Sequence, residues 1–173
     1  MSFILSFTNF NILSPDTKFV GLDNYVKLFT QDKLFLKSLF VTFKFAFISV
    51  PLRLIFALFV AMILNRKSRA VPVYRVVYYL PSIIGGSVAV SVMWRNLFTK
   101  SGVLNSILQA MGINCKINWL GNTDTAIYVL ILLYVWQFGS SMLIFLSGLK
   151  QISTSYYEAA EVDGAGKNKD VFL

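Results

Sequence analysis

Histidine is absent from this sequence of 173 residues, cysteine occurs once, and only eight residues are acidic. The absence of histidine removes the commonest general base and metal ligand of proteins. The single cysteine, Cys115, can form neither an internal disulfide nor a zinc cluster, so we expect it to be a small, unreactive apolar residue. No nucleophile–base arrangement or pair of intramembrane carboxylates is visible either. The sequence therefore predicts no enzyme, no cofactor and no metal site.

Apolar side chains are abundant instead. Hydrophobic residues make up 56% of the chain and aromatic residues 16%, whereas charged residues make up only 14%, and the mean hydropathy is +0.65. Such a composition is far too apolar for a soluble domain of this size and predicts a membrane protein. The net charge of +8 does not indicate nucleic acid, because the basic residues do not line one surface and no nucleic-acid-binding motif accompanies them.

Long apolar segments predict three full membrane spans, at about 36–64, 76–95 and 126–149. The loop between the first two spans contains four basic residues and no acid: Arg66, Lys67, Arg69 and Arg75. The positive-inside rule places this loop in the cytoplasm, so the first span runs inward, the second outward and the third inward. The predicted fold class is an all-α membrane protein, a multi-pass helical bundle with a single transmembrane domain over 1–173.

Each predicted span has an unusual feature near mid-depth. Arg53 interrupts the apolar first span, where a central arginine costs on the order of 2.5 to 3.5 kcal/mol. It should face a partner or a wet cavity, or reach an interface from a tilted helix. Pro81 and the run SIIGGS at 82–87 should interrupt the second span, for close packing or beside a cavity. One face of the third span combines Tyr134, Gln137 and Ser141. A transport site at the bilayer midplane would lie between these polar groups.

The segments outside the membrane carry weaker signals. Residues 11–33 are polar and should form a solvated, partly helical external segment. Apolar residues at helical spacing between 103 and 111 predict a short amphipathic helix on the outer surface. Trp94 and Trp119 fit an interfacial aromatic belt.

A short segment at about 153–166 follows the third span on the predicted cytoplasmic side. Ser155 and Glu158 have the spacing of a capping box, so a helix should begin near 153–155 and end at Gly164 or Gly166. One face of this helix lacks bulk and acids lie beside it: Ala159, Ala160 and Gly164, with Glu158, Glu161 and Asp163. Such a face would let a partner approach closely; the alternative is a capped surface helix that only links two spans.

The same segment carries a family resemblance. The sequence YEAA at 157–160, followed by DGA at 163–165 and Phe172, resembles the EAA motif of permease subunits in binding-protein-dependent ABC importers. Four other stretches resemble the carbohydrate branch of that family, of the maltose and glycerol phosphate type: SFTNFN, FVGLDNYVKLF, YRVVYYLPSIIGG and NWLGNTDTA. The resemblance extends over nearly the whole chain and keeps the order of the motifs. Ser153 replaces the proline that precedes the family's EAA helix, and it can still cap the helix.

The resemblance implies a transport subunit that brings in a sugar or related solute without covalent chemistry of its own. Implied partners are a second permease subunit, a cytoplasmic ABC ATPase dimer that hydrolyses ATP, an external solute-binding protein, the sugar-type substrate and membrane lipid. Coupling to the ATPase would involve Tyr157, Glu158, Ala159, Ala160, Asp163 and Gly164. The substrate path would involve Ser82, Gly86, Gln137, Phe138 and Ser141, and Arg53 would favour an anionic solute.

Two further expectations follow. Family members have a span before SFTNFN and two spans after the EAA segment, so this chain is expected to be the middle of a six-span type I importer permease, truncated at both ends. The alternative function is a membrane interaction or assembly protein that transports nothing and whose cytoplasmic helix binds an unrelated partner.

Overall fold

A computed structural model describes residues 1–10, 17–66, 69–113 and 116–162. These described residues form nine α-helices: α1 Ser2–Leu5, α2 Asp23–Thr30, α3 Lys33–Leu64, α4 Val71–Ile84, α5 Val88–Phe98, α6 Val103–Ala110, α7 Thr123–Trp136, α8 Gly139–Gln151 and α9 Thr154–Val162. The predicted all-α class is confirmed. The chain divides into two compact units, Met1–Ala46 and Phe47–Leu173, which we describe separately.

Among the described helices, only α3 is by itself long and apolar enough to cross a membrane. It has 32 residues and a mean hydropathy of 2.5 in its most apolar window, and its length of about 48 Å exceeds the roughly 30 Å of a hydrocarbon core. Two helix pairs meet the same criteria only when each is taken together across a break. By length and composition, the described residues therefore contain one helix that could cross a membrane, or up to three spans if each bent pair is one span.

Both bent pairs contain a break, whereas the sequence predicts an interruption only in the second span. The chain turns by 92° between Val71–Ile84 and Val88–Ala110, at the glycine and serine residues where the sequence predicts an interruption, while Pro81 stays inside α4. Ser87 caps the next helix, because its Oγ accepts a hydrogen bond from the Val90 N–H at 3.3 Å. The break of 42° between α7 and α8 was not predicted, since nothing in the hydropathy marks it.

The apolar core of the second unit lies where the last part of α3 meets α8. Its buried members are Ala57, Val60, Ala61, Leu64, Val71, Phe138, Met142 and Leu146. The α3 members recur at the spacing of one helical face. Ala57, Ala61 and Met142 are fully buried, so small side chains on α3 leave room for a large one on α8. Close packing of this kind is what holds helices together in lipid, where the hydrophobic effect gives no preference for helix contacts.

A buried asparagine joins α6 to the residues on either side of that helix. Asn105 lies on α6, the short helix that the sequence predicts here, and is 1% exposed. Its Nδ2 donates to the carbonyl oxygens of Lys100 at 3.0 Å and Ile117 at 2.8 Å, and its Oδ1 accepts from Trp119 Nε1 at 2.9 Å. Trp119 thus uses its polar atom inside the protein. Trp94 also packs in the protein, against Trp136 with ring centroids 5.6 Å apart, and the belt position of both indoles stays a prediction.

In the first unit, hydrogen bonds join the two N-terminal stretches SFTNF and FVGLDNYVKLF. The Val20 N–H donates to the Phe7 carbonyl at 2.9 Å, next to an isolated antiparallel bridge between Thr8 and Phe19. Asn24 Nδ2 donates to the carbonyl oxygens of Ser6 at 2.8 Å and Thr8 at 3.1 Å. The second stretch includes most of α2, which confirms that this segment is partly helical; its external location stays a prediction.

Two glycines of α8 provide a matched test of helix packing. A Cβ built on Gly139 would lie 2.7 Å from Tyr79 Cα and 2.9 Å from Ser82 Oγ and would overlap the Tyr78 carbonyl, whereas one on Gly148 would meet nothing within 4 Å. We expect Gly139→Ala to destabilise the full-length protein by about 1 to 3 kcal/mol, because backbone must move to admit the methyl group. Gly148→Ala should be neutral or slightly stabilising. Thermal unfolding in detergent measures both; equal melting temperatures would contradict the close contact at Gly139.

Candidate functional site

The predicted path residues lie around the breaks of the two bent helix pairs. Ser82 lies in α4, Gly86 in the turn that follows α4, and Ser141 in α8. Gln137 and Phe138 form the break between α7 and α8. The structure brings several of these residues together but gives them different surroundings.

The Ser82 hydroxyl joins α4 to the break between α7 and α8. Its Oγ donates to the Gln137 carbonyl at 2.9 Å and accepts from the Ser140 N–H at 3.1 Å. A helix break frees backbone groups on both sides, and in lipid these groups must find partners within the protein. Ser82 supplies both partners from one side chain. The absence of a side chain at Gly139 is what lets α4 come close enough, because a Cβ there would overlap α4 backbone.

The Gln137 side chain lies directly against Gly85. A Cβ built on Gly85 would overlap the Gln137 side chain, and Gly85 is buried. Gln137 is partly buried, and its Nε2 donates to the Leu133 carbonyl at 3.3 Å within α7. The break after α4 and the break between α7 and α8 are therefore in contact, through Gly85 of the first and the Gln137 amide of the second. A buried amide needs a partner, and the Leu133 carbonyl supplies one for Gln137.

The other predicted path residues have unequal surroundings. The Phe138 ring is buried in the core and packs edge-on against Phe56 at 4.7 Å between centroids, with Tyr78 at 6.0 Å. Ser141 is partly buried, whereas Gly86 is exposed and has open space where a Cβ would stand. Phe138 thus packs among helices in this arrangement, and the path role of all three residues stays a prediction.

Arg53 has a partner within the chain that the sequence analysis did not anticipate. Its guanidinium carbon lies 4.6 Å from the centroid of the Tyr134 ring on α7, in a cation–π contact. Tyr134 was grouped by spacing with Gln137 and Ser141, but spacing along one helix cannot reveal a contact with another helix. Ser49, one turn before Arg53 on α3, was missed although the i, i+4 spacing places the two on one face.

The predicted coupling helix is α9, but its cap differs from the predicted one. Helix α9 begins at Thr154, so Ser155 lies inside the first turn. The Ser153 hydroxyl accepts from the Ser155 N–H at 3.3 Å, which makes Ser153 the capping residue. Ser153 can therefore replace the proline of the resemblance, as expected.

The coupling residues themselves are only partly within the described residues. Glu158 and Ala159 are exposed on α9. Tyr157 and Ala160 lie in the same helix, while Asp163 and Gly164 are outside the described residues. Cys115 also lies outside them. The coupling role of all six residues stays a prediction.

Comparisons with known proteins point to one family. The model of the family described as "Binding-protein-dependent transport system inner membrane component" matches residues 31–172. The chain is 53% identical over 171 residues to the probable ABC transporter permease protein YesP of Bacillus subtilis, covering 99% of this chain and 55% of that protein. It is 35% identical over 153 residues to the trehalose/maltose transport system permease protein MalF of Thermococcus litoralis, covering 87% and 51%. The chain thus spans about half the length of the curated relatives it matches.

The fold has a counterpart among solved structures. A crystal structure of a bacterial ABC transporter involved in the import of the acidic polysaccharide alginate contains a chain that matches with a TM-score of 0.75 and 21% sequence identity. The match covers 95% of this chain and 56% of that one. At this identity the likeness concerns the fold.

The double role of Ser82 generates a prediction. Replacing it with alanine in the full-length protein removes the partner of two backbone groups at the α7–α8 break, so we expect destabilisation by about 1 to 3 kcal/mol. Ser147→Ala is the matched control, since Ser147 is exposed on α8 and bonds only to the Leu143 carbonyl of its own helix at 2.8 Å. Thermal unfolding of both variants decides. If Ser82→Ala has the same melting temperature as the wild type, the two Ser82 hydrogen bonds do not stabilise the α7–α8 break.

Proposed function

This chain belongs to the family of binding-protein-dependent transport system inner membrane components, and we propose that it acts as a permease subunit of an ATP-driven importer for a sugar or related solute. The observation that carries the proposal is the family match over 31–172 together with two broken helix pairs joined at Ser82. Broken helices near mid-depth are typical of transport sites, where freed backbone groups can serve a substrate.

In this proposal the chain performs no covalent chemistry. Its helices take two arrangements that open the path alternately to each side, and the substrate and the ATPase shift the balance between them. The two Ser82 hydrogen bonds and the Gly85–Gln137 contact lie where the bent pairs meet. A movement of one pair would therefore displace the other. The path residues would be Ser82, Gly86, Gln137, Phe138 and Ser141.

We propose that α9 couples these movements to a separate cytoplasmic ATPase dimer. The helix is capped by Ser153 and exposes Glu158 and Ala159, so a cleft in a partner could receive a small side chain and pair with a carboxylate. Tyr157, Ala160, Asp163 and Gly164 would complete this contact. Further partners in this proposal are a second permease subunit and an external solute-binding protein, and the protein would be a multi-pass protein of the cell membrane.

A membrane interaction or assembly protein without transport activity is the alternative. The description of the family, as a component of binding-protein-dependent transport systems, favours the transport function. The two functions predict different ATPase behaviour. A transport subunit couples ATP hydrolysis to a loaded binding protein, whereas an interaction protein does not.

A bulky residue on the exposed face of α9 tests the coupling role. In the full-length permease assembled with its partners, we expect Ala159→Arg to lower the ATPase activity that a loaded binding protein stimulates by about tenfold or more, because the side chain would block close docking of the helix. Steady-state phosphate release by the reconstituted complex measures this.

The matched control is Ala110→Arg, which makes the same replacement at an exposed alanine in the last turn of α6. It should leave stimulated hydrolysis near the level of the wild type. Equal activity of both variants would remove α9 as the docking element. If no loaded binding protein stimulates the wild-type complex, the transport function itself is wrong.

A further inference from the structure

Helix α3 carries two buried hydrogen-bonding atoms that lack a partner among the described residues. Ser49 is 0% exposed, and its Oγ makes no hydrogen bond. Arg53 Nε is buried and also makes none. The two residues are four apart and lie on one face of the helix. Buried polar atoms are usually satisfied, so two neighbouring exceptions on a membrane-spanning helix call for a ligand or a partner.

The contact with Tyr134 leaves the hydrogen-bonding edge of Arg53 available. A guanidinium that stacks on a ring uses its face, while its N–H groups point outward in its plane. The Nε atom belongs to one of the two edges that can bind a carboxylate or phosphate through two parallel hydrogen bonds. Arg53 as a whole is only partly buried, so part of its side chain remains within reach.

The charge of Arg53 is not neutralised by the helices around it. Helix α3 contains no acidic residue, and Asp124 in the first turn of α7 is the one acid of the described helices α3 to α8. Asp124 precedes Tyr134 by ten residues, or about 15 Å along α7. A tyrosine ring attracts a cation but does not cancel its charge.

Helix lengths place this arginine near the middle of the bilayer. Arg53 lies about 17 Å from Leu64 along α3, and Tyr134 lies about 17 Å from Thr123 along α7, at about 1.5 Å per residue. Leu64 precedes the basic loop and Thr123 follows the outer segment, so the two ends are on opposite sides of the membrane in the predicted topology. The two lengths together match a hydrocarbon core of about 30 Å.

We propose that Ser49, Arg53 and Tyr134 form a subsite for the negatively charged group of an acidic sugar, either a uronate carboxylate or a sugar phosphate. The inference rests on the proposed transport function and names the substrate class. A neutral sugar could satisfy the hydrogen bonds but not the charge, whereas an oxyanion satisfies both. Ser49 Oγ would donate to the same group from one turn away. Because these atoms are covered in the present arrangement, an anion would favour the arrangement that uncovers them.

Direct binding to the purified full-length complex tests the subsite. The probes are digalacturonate, glucose 1-phosphate and maltose, which supply a carboxylate, a phosphate and no charge, and the readout is quenching of tryptophan fluorescence. We expect at least one acidic probe to bind the wild type about tenfold or more tightly than maltose, and Arg53→Gln to abolish this preference because the affinity for the acidic probe falls more than the affinity for maltose. The probe that loses affinity identifies the charged group.

Two further variants keep the test sharp. Arg95→Gln removes an exposed positive charge elsewhere, in the last turn of α5, and should keep the preference. Arg53→Lys keeps the charge without the planar edge and should retain part of the preference, which gives an answer even if Arg53→Gln does not fold.

Equal binding of acidic and neutral probes by the wild type would overturn the inference. So would an Arg53→Gln complex that loses its second permease subunit, because Arg53 would then pair with an acid of that subunit. Stimulated ATP hydrolysis is measured in the same preparation. If it is normal while the acidic preference is absent, the subsite is wrong and the transport function stands; if it is absent, the transport function is wrong.

Discussion

The fold depends on one constraint, which is that every backbone group freed inside a membrane needs a partner from the protein. Both bent helix pairs free such groups. The Ser82 hydroxyl meets this requirement at the α7–α8 break with two hydrogen bonds, to the Gln137 carbonyl and the Ser140 N–H. Gly139 makes the arrangement possible by admitting the α4 backbone. The breaks are therefore stable features of the packed helices, although each would be costly in an isolated span.

The same constraint applies to charge. Arg53 lies on an apolar helix, and the structure gives it an aromatic ring on another helix in place of an acid. Helix α3 thus has two different parts. Its last turns carry small and branched residues that pack against α8, while Ser49 and Arg53 precede them on the same helix with atoms that lack partners. The small and branched residues pack the helices together, and Ser49 and Arg53 provide hydrogen-bonding atoms within the apolar bundle.

Local patterns predicted more of the fold than of the candidate site. The glycines before Ser87 marked one break, and apolar spacing predicted α6. The second break was missed because an amide and a phenylalanine within an apolar run do not by themselves mark a helix end, and the hydrogen bonds that stabilise the break come from Ser82 on another helix. For the same reason Tyr134 could not be assigned to Arg53, and Ser155 was mistaken for the cap that Ser153 provides. Spacing within one helix predicts faces, but contacts between helices depend on where each helix is placed.

The junction between α8 and α9 has little slack. Only Ile152 and Ser153 separate the two helices, so the Cα atoms of Gln151 and Thr154 can be at most about 10 Å apart even in a fully stretched chain. The Ser153 hydroxyl also accepts a hydrogen bond from the Ser155 N–H, which ties one of the two connecting residues to the start of α9. Helix α8 is in turn anchored by Met142 and Leu146 against the end of α3. Two connecting residues can therefore absorb only a small relative displacement of α9 and α8.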